Sequence, residues 1–439
     1  MRIKSSASRL SLLLGGLFFA VPVFSADLLQ VYRDALGNDA QYAAARATVE
    51  AGREKAPQGL AGLLPTVSAT ANTLWNDNTY NPPGSSRSFN TNAYNLNLTQ
   101  PLFRWQNYVQ YGQAKLQVAQ AEANFAQASQ DLILRVAQAY FDVLNAQENL
   151  TAVRANKQAI SQQLEQAKKN FEVGTATITD SQEAQSRFDL ASAQEIAAQS
   201  DLEFKRYALR LIVGKDSGEL NRLKAQAVLQ PPQPASMDQW VDAAVKDNFT
   251  VQAQQVAAEV ATKEIERTRA GHYPTLDVAA NYGRVRSGTS ASNQTTDVGN
   301  IGLQLNIPIY QGGLVSSRTR EAVANRTAAE AALENAKRTA SLGAQQSFLG
   351  VVNGLAQVRA LDAALVSSRS ALESNKLGYE VGVRINIDVL NAEQQVYATI
   401  SNLAKARFDT LLAQLKLKAA VGALGESDLE QINPLFEAP

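Results

Sequence analysis

Side chains able to make or break covalent bonds are scarce in this chain. It has no cysteine and one histidine, His272, which therefore has no second His or Cys with which to build a triad or a metal site. Val213-Gly214-Lys215-Asp216 lacks the upstream glycine and the Ser/Thr of a phosphate-binding loop, and no Gly-x-Ser-x-Gly elbow is present. The carboxylates fall on helical faces at solvating spacings, not as a convergent pair. No enzyme, cofactor or metal is expected. What remains is the polar chemistry of two related turns. Tyr379-Glu380-Val381-Gly382-Val383-Arg384-Ile385-Asn386-Ile387-Asp388 repeats the plan of Phe171-Glu172-Val173-Gly174-Thr175-Ala176-Thr177-Ile178-Thr179-Asp180, 208 residues earlier. Gly174 and Gly382 can take the positive φ that reverses a chain, and Thr179-Asp180 or Asp388 can restart a helix after it. Each stretch is expected to be the tip of a helical hairpin.

The elements that position these tips also come in two copies. Pro65-Thr66 matches Pro274-Thr275, Pro101-Leu102-Phe103 matches Pro308-Ile309-Tyr310, and Val213-Gly214 matches Val421-Gly422, at offsets of 209, 207 and 208 residues. Landmarks that stay in register over a whole half imply two tandem structural repeats, 26–220 and 237–439. Between them, residues 221–236 hold Pro231, Pro232 and Pro234 and read as a linker wrapping outside the helices.

Each repeat opens with a helical pattern, Ala26 to Gly62 or Met237 to Gly271, that runs into a proline. The period then changes to two. Strands are expected at about 65–75 and 92–101, and at about 274–284 and 300–309, with polar loops from Asn76 to Asn90 and from Ser287 to Gly299. Tyr94, Leu96 and Leu98, and Ile301, Leu303, Leu305 and Ile307, alternate with polar residues, giving one greasy and one wet face. Such strands have the length needed to cross a bilayer, and Trp75, Tyr94, Phe103, Trp105 and Tyr310 stand where interfacial aromatics belong. Very long helices follow. From Arg104 to Phe171 there is no proline, on the order of 100 Å of helix, and Leu314 to Tyr379 is its counterpart. The tips fall at about 171–178 and 379–386. Ile133, Val136, Ala137, Tyr140, Phe141 and Leu144 read as core, and Val389, Val396, Ile400 and Leu403 as a coiled-coil seam.

Among 439 residues, Lys+Arg and Asp+Glu balance at 41 each, which gives no reason to expect a nucleic-acid partner. Arg2, Lys4 and Arg9 before the apolar run Leu10 to Ala20 predict a signal peptide, residues 1–25, cleaved after Ser25, with Ala26 as the alternative. Four short strands cannot close a membrane barrel, and their edges cannot face lipid unpaired, so copies must associate. The strand count allows a dimer or a trimer.

The order helix, strand, loop, strand, long helix, tip, helix, given twice, resembles the TolC-type outer-membrane efflux and secretion channels. The likeness rests on Ala139 to Ala146, Phe171-Glu172-Val173-Gly174, Ile178-Thr179-Asp180, Gly271 to Asp277, Pro308 to Gly313, Gly378-Tyr379 and Asp388-Val389-Leu390. It is nearer the TolC branch than the lipid-anchored one, whose acylated cysteine is missing. The resemblance implies a mainly α homotrimer with a twelve-strand β-barrel in the outer membrane and a twelve-helix periplasmic tunnel. It implies a passive exit duct for efflux or type I secretion, served by a periplasmic adaptor and an inner-membrane pump of ABC or RND type. It places Thr179, Asp180, Tyr379 and Arg384 in a gate network and Asp388 in an acidic ring at the entrance. Val173, Gly174, Thr175, Val381, Gly382 and Val383 fall at the adaptor contact. Asn391 stands where the family prototype has a second acid, so Asn391→Asp is expected to double the acids of the ring. A structural, adhesin-like trimeric coiled coil is the alternative, but it would not require two proline-bounded strand pairs.

Overall fold

The computed structural model describes residues 26–79, 86–289 and 292–438. The expected signal peptide lies outside the described residues. In chain order come helices α1 (Leu28–Asn38), α2 (Ala40–Arg53) and α3 (Lys55–Ala61), strands β1 (Thr66–Asn78) and β2 (Arg87–Phe103), the long helix α4 (Trp105–Glu172), its return α5 (Ile178–Val213) and the short β3 (Arg222–Leu223). The second series is α6 (Met237–Asp247), α7 (Phe249–Arg269), β4 (Thr275–Thr289), β5 (Ser292–Asn306), the long α8 (Leu314–Glu380), α9 (Asn386–Ala420), α10 (Glu426–Ile432) and β6 (Phe436–Glu437).

The helix expected from Ala26 to Gly62 is broken into three, and that from Met237 to Gly271 into two and a 3-10 turn. Capping side chains override the apolar period. Asp39 leaves helical geometry (φ −67°, ψ 117°) and accepts from the Tyr42 amide at 2.6 Å, while Arg135 Nη2 holds the same carboxylate oxygen at 2.8 Å. In the second half Asn248 (φ −63°, ψ 128°) accepts from the Thr250 and Val251 amides and donates to the Ala420 carbonyl at 3.0 Å. Each cap thus starts one helix and pins it to another.

The four long strands form one antiparallel sheet in the order β1-β2-β4-β5. Its register lines up Val67, Leu98, Ala280 and Ile301 in one row and Ala69, Leu96, Tyr282 and Gly299 in the next on that face. The rows between them, such as Ser68-Asn97-Asn281-Asn300, project to the other face, where Asn281 Nδ2 donates to Asn97 Oδ1. One side is therefore greasy, with Ile301 78% and Leu303 70% exposed. The strands are longer than expected, and most of Ser287 to Gly299, expected as loop, is strand. Polar residues sustain the outer ladder of both hairpins: Arg284 forks onto Asp297 at 2.6 and 3.0 Å between β4 and β5, while between β1 and β2 Ser88 Oγ donates to Asp77 and Asn76 Nδ2 to Thr91. Pro101 does not end β2. It lies within the strand opposite Asp277, at a register shift that removes the need for its missing N–H. β5 stops at Asn306, short of Pro308. Among the described residues, the outer edges of β1 and β5 have no partner.

Below the sheet, α4 runs 68 residues and α8 runs 67, each about 100 Å. Midway along them lies the main core. Tyr140, fully buried, packs edge-on against Phe141 and Phe436, and its hydroxyl donates to the carbonyls of Ala26 and Asn221. Desolvation raises the Tyr140 phenol well above its ordinary pKa, so it stays a neutral donor. The segment expected to wrap freely outside is tied in: Arg222 and Leu223 pair with Glu437 and Phe436, and Gln414 Nε2 donates to the Gln230 carbonyl at 2.7 Å. This girdle holds both halves together.

Candidate functional site

Both hairpin tips reverse by the same backbone geometry. In the first, the Gly174 amide bonds the Phe171 carbonyl and the Thr175 and Ala176 amides bond that of Asn170. In the second, the Gly382 amide bonds the Tyr379 carbonyl and the Val383 and Arg384 amides bond that of Gly378. Gly174 (φ +78°) and Gly382 (φ +80°) take the left-handed conformation that this closure needs. The helices reach further into the tips than expected, leaving only 173–177 and 381–385 outside them.

The restart differs between copies. Thr177 is the cap of α5, its hydroxyl accepting from the Asp180 amide while Asp180 Oδ2 accepts from the Thr177 amide at 3.0 Å and hydroxyl at 2.6 Å. Thr179 Oγ1 lies 2.5 Å from Thr177 Oγ1. Asp180 Oδ1 takes no hydrogen bond within the chain among the described residues. In the second tip Ile385 precedes α9 without a side-chain cap, and Asp388 meets Arg384 Nη1 at 3.5 Å instead of capping. Within one protomer, then, Arg384 reaches Asp388 and not Asp180. Gly378 gives Arg384 its bed, since a methyl group there would lie 2.7 Å from Arg384 Cγ.

Tyr379 joins the two hairpins: its hydroxyl accepts from Asn170 Nδ2 at 3.3 Å, which leaves the phenolic proton free to donate elsewhere. Nearby, Ile160, Leu164, Ala167, Ala184 and Ala191 pack with Leu390 of the other hairpin. Val173, Val381 and Val383 are 74%, 66% and 76% exposed. Three apolar side chains bare to water beside two rigid reversals form a surface suited to a protein partner.

Sequence reasoning passed over several side chains here. Lys376 Nζ holds Glu393 Oε1 at 2.8 Å, and Glu393 is 1% exposed with Oε2 unpartnered. Burial, and then the Glu393 charge, raise the Tyr397 phenol. Arg187 of α5 donates to Asn391 Oδ1 at 3.1 Å and Gln394 Oε1 at 3.0 Å on α9. Higher up, Lys157 and Arg154 both bond Glu195 at 3.0 Å, and these hydrogen bonds, Lys157 first, hold its carboxyl below the usual range. Apart from Glu393 and Tyr397, which lie four residues apart on α9, none of these pairs has a local spacing in sequence, because each spans two helices.

The description "outer membrane efflux protein" belongs to a family model that matches residues 31–215 and again 240–423. The sequence is 34% identical to outer membrane protein TolC of Vibrio cholerae over 416 residues, 94% of each chain. It is 32% identical to alkaline protease secretion protein AprF of Pseudomonas aeruginosa over 422 residues, 94% of this chain and 88% of that one. Among solved structures, the Campylobacter jejuni CmeC outer membrane channel superposes with a TM-score of 0.81 over 99% of this chain and 97% of that one, at 17% identity, a likeness of fold.

Proposed function

Because the chain belongs to the outer membrane efflux protein family, we propose that three copies form a passive exit duct, with a barrel in the outer membrane and a helical tunnel through the periplasm. One observation carries this reading. A four-stranded sheet with a bare greasy face and two open edges stands on helices about 100 Å long. Three such sheets joined edge to edge give twelve strands without a free edge in lipid, and the four long helices of each copy give a wall of twelve. An adhesin-like coiled coil would leave the double family match unexplained.

The duct has no nucleotide-binding or proton-relay motif, so energy comes from an inner-membrane pump of ABC or RND type. The pump acts through a periplasmic adaptor that meets Val173-Gly174-Thr175 and Val381-Gly382-Val383. AprF is named for secretion of alkaline protease, and that name supports type I secretion as a use of such a duct beside efflux. Residues 1–25 direct export.

The gate lies at the tips. Arg384 can bridge its own Asp388 and the open Oδ1 of Asp180 on a neighbouring hairpin, with Thr179 beside it, and Tyr379 can donate its free proton to the same acid. Each contact at a wet tip is worth about 1 kcal/mol, so single losses loosen the entrance and combined losses open it. The three Asp388 carboxylates set ion preference more than closure. Single-channel recording in planar bilayers tests this. Tyr379→Phe with Arg384→Ser is expected to raise conductance several-fold, while Asp388→Asn mainly weakens block by multivalent cations. Wild-type conductance in the double variant would remove the gate from the tips.

A further inference from the structure

Arg187 is a charge without a counter-charge. Its two hydrogen-bond acceptors, Asn391 Oδ1 and Gln394 Oε1, are neutral amides, and no carboxylate lies within ion-pair distance among the described residues. The contact fixes where the guanidinium stands. Along α9, Val389, Leu390, Glu393 and Val396 are buried, and Asp388 and Asn391 point away from that side. Asn391 follows Asp388 by about one helical turn, ~5 Å further from the tip. Whatever wall Asp388 lines, Arg187 is held on it by its bond to Asn391.

We infer that Arg187 is a specificity-determining residue: in the assembled duct it adds a basic ring one turn inward of the Asp388 ring. This rests on the proposed duct with Asp388 at its entrance. Each copy then contributes Asp388, paired with its own Arg384 at 3.5 Å, and the unneutralised Arg187 to the constriction, and the entrance does not concentrate cations as two stacked acid rings would. Anionic solutes and acidic stretches of polypeptide meet no purely negative collar. The expectation for Asn391→Asp changes with it. A new carboxylate there would stand against Arg187 Nη2, whose present distance to Asn391 Oδ1 is 3.1 Å. It would be neutralised in place and would not double the acids of the ring.

The test is the reversal potential in a KCl gradient, with block by hexaamminecobalt(III) added on the tip side of purified channels in planar bilayers. Arg187→Gln, which keeps an amide able to bond Asn391, is expected to shift the reversal potential toward cation preference. It should also strengthen block about five- to tenfold, the effect of removing three like charges from a water-filled ring. Arg187→Lys should behave as wild type. Asn391→Asp should change block little alone and strongly in the Arg187→Gln background. Unchanged potential and block in Arg187→Gln, in channels where Asp388→Asn still weakens block, would overturn the basic ring and leave the duct standing. If Asp388→Asn also changes nothing, the entrance assignment fails and the basic ring falls with it.

Discussion

Glu393 is the least exposed carboxylate near the tips, and one lysine keeps it there. Lys376 crosses from α8 to α9 to reach Oε1, while Oε2 has no partner. Such a pair contributes little net stability against an apolar replacement, yet removing one partner leaves a charge stranded away from water, at a cost of roughly 3–5 kcal/mol. Lys376→Met is therefore expected to loosen the α8–α9 hairpin, read as faster amide exchange between residues 376 and 397. Adding Glu393→Leu should restore protection. Equal exchange in wild type and Lys376→Met would mean that the pair does not hold the hairpin. Of the tip residues, Gly174, Gly382 and Asp388 are legible in sequence because they recur at a fixed offset, whereas Tyr379 recurs only as a ring, its counterpart being Phe171, which has no hydroxyl. Arg187 and Lys376 are not legible, since their importance comes from a partner on another helix. Asp180 is legible as a helix-start acid, but its engagement with Thr177 depends on which residue leaves helical geometry first.

At the scale of elements, the reversals are stiff devices set by two glycines. Proline at position 382 cannot reach φ +80°, being locked near −65°, and the change is confined to a loop outside the helices. Gly382→Pro, and likewise Gly174→Pro, is expected to abolish export while trimer formation and membrane insertion persist. Export surviving both changes would make the tips ordinary turns. Long helices and alternating strands announce themselves because periodicity over many residues is hard to mimic, and α4 and α8 run where the absence of proline allows. Element ends were less legible. Asp39 and Asn248 carry the capping chemistry, yet an apolar period runs through them in sequence. The outer parts of β4 and β5 look like loop because Asn, Ser, Thr and Gly favour turns locally, whereas cross-strand bonds such as Arg284–Asp297 make strand of them.

For the whole molecule, the tandem plan was readable because landmarks keep their spacing, and the two family matches, 31–215 and 240–423, repeat that offset. The number of copies was not, because four strands close into a barrel equally well on paper as eight or as twelve. A lone chain leaves much apolar surface bare: besides the sheet, α8 carries an 18-residue apolar stretch of which only 11% is buried. In the proposed trimer outer-membrane lipid covers the greasy face of the sheet, and neighbouring copies cover the apolar stretch of α8. The central claim is that β5 of one copy pairs with β1 of the next, and the absence of native cysteine makes this directly measurable. Cysteine pairs combining Ile301, Leu303 or Leu305 with Val67, Ala69 or Ala71 join residues of the same sheet face, and correctly opposed pairs can form a disulfide. Mild oxidation of the membrane-inserted protein, followed by non-reducing electrophoresis, should give at least one combination whose ladder ends at a covalent trimer. Monomer alone across every combination, or a ladder that continues past three, would contradict the closed twelve-strand barrel.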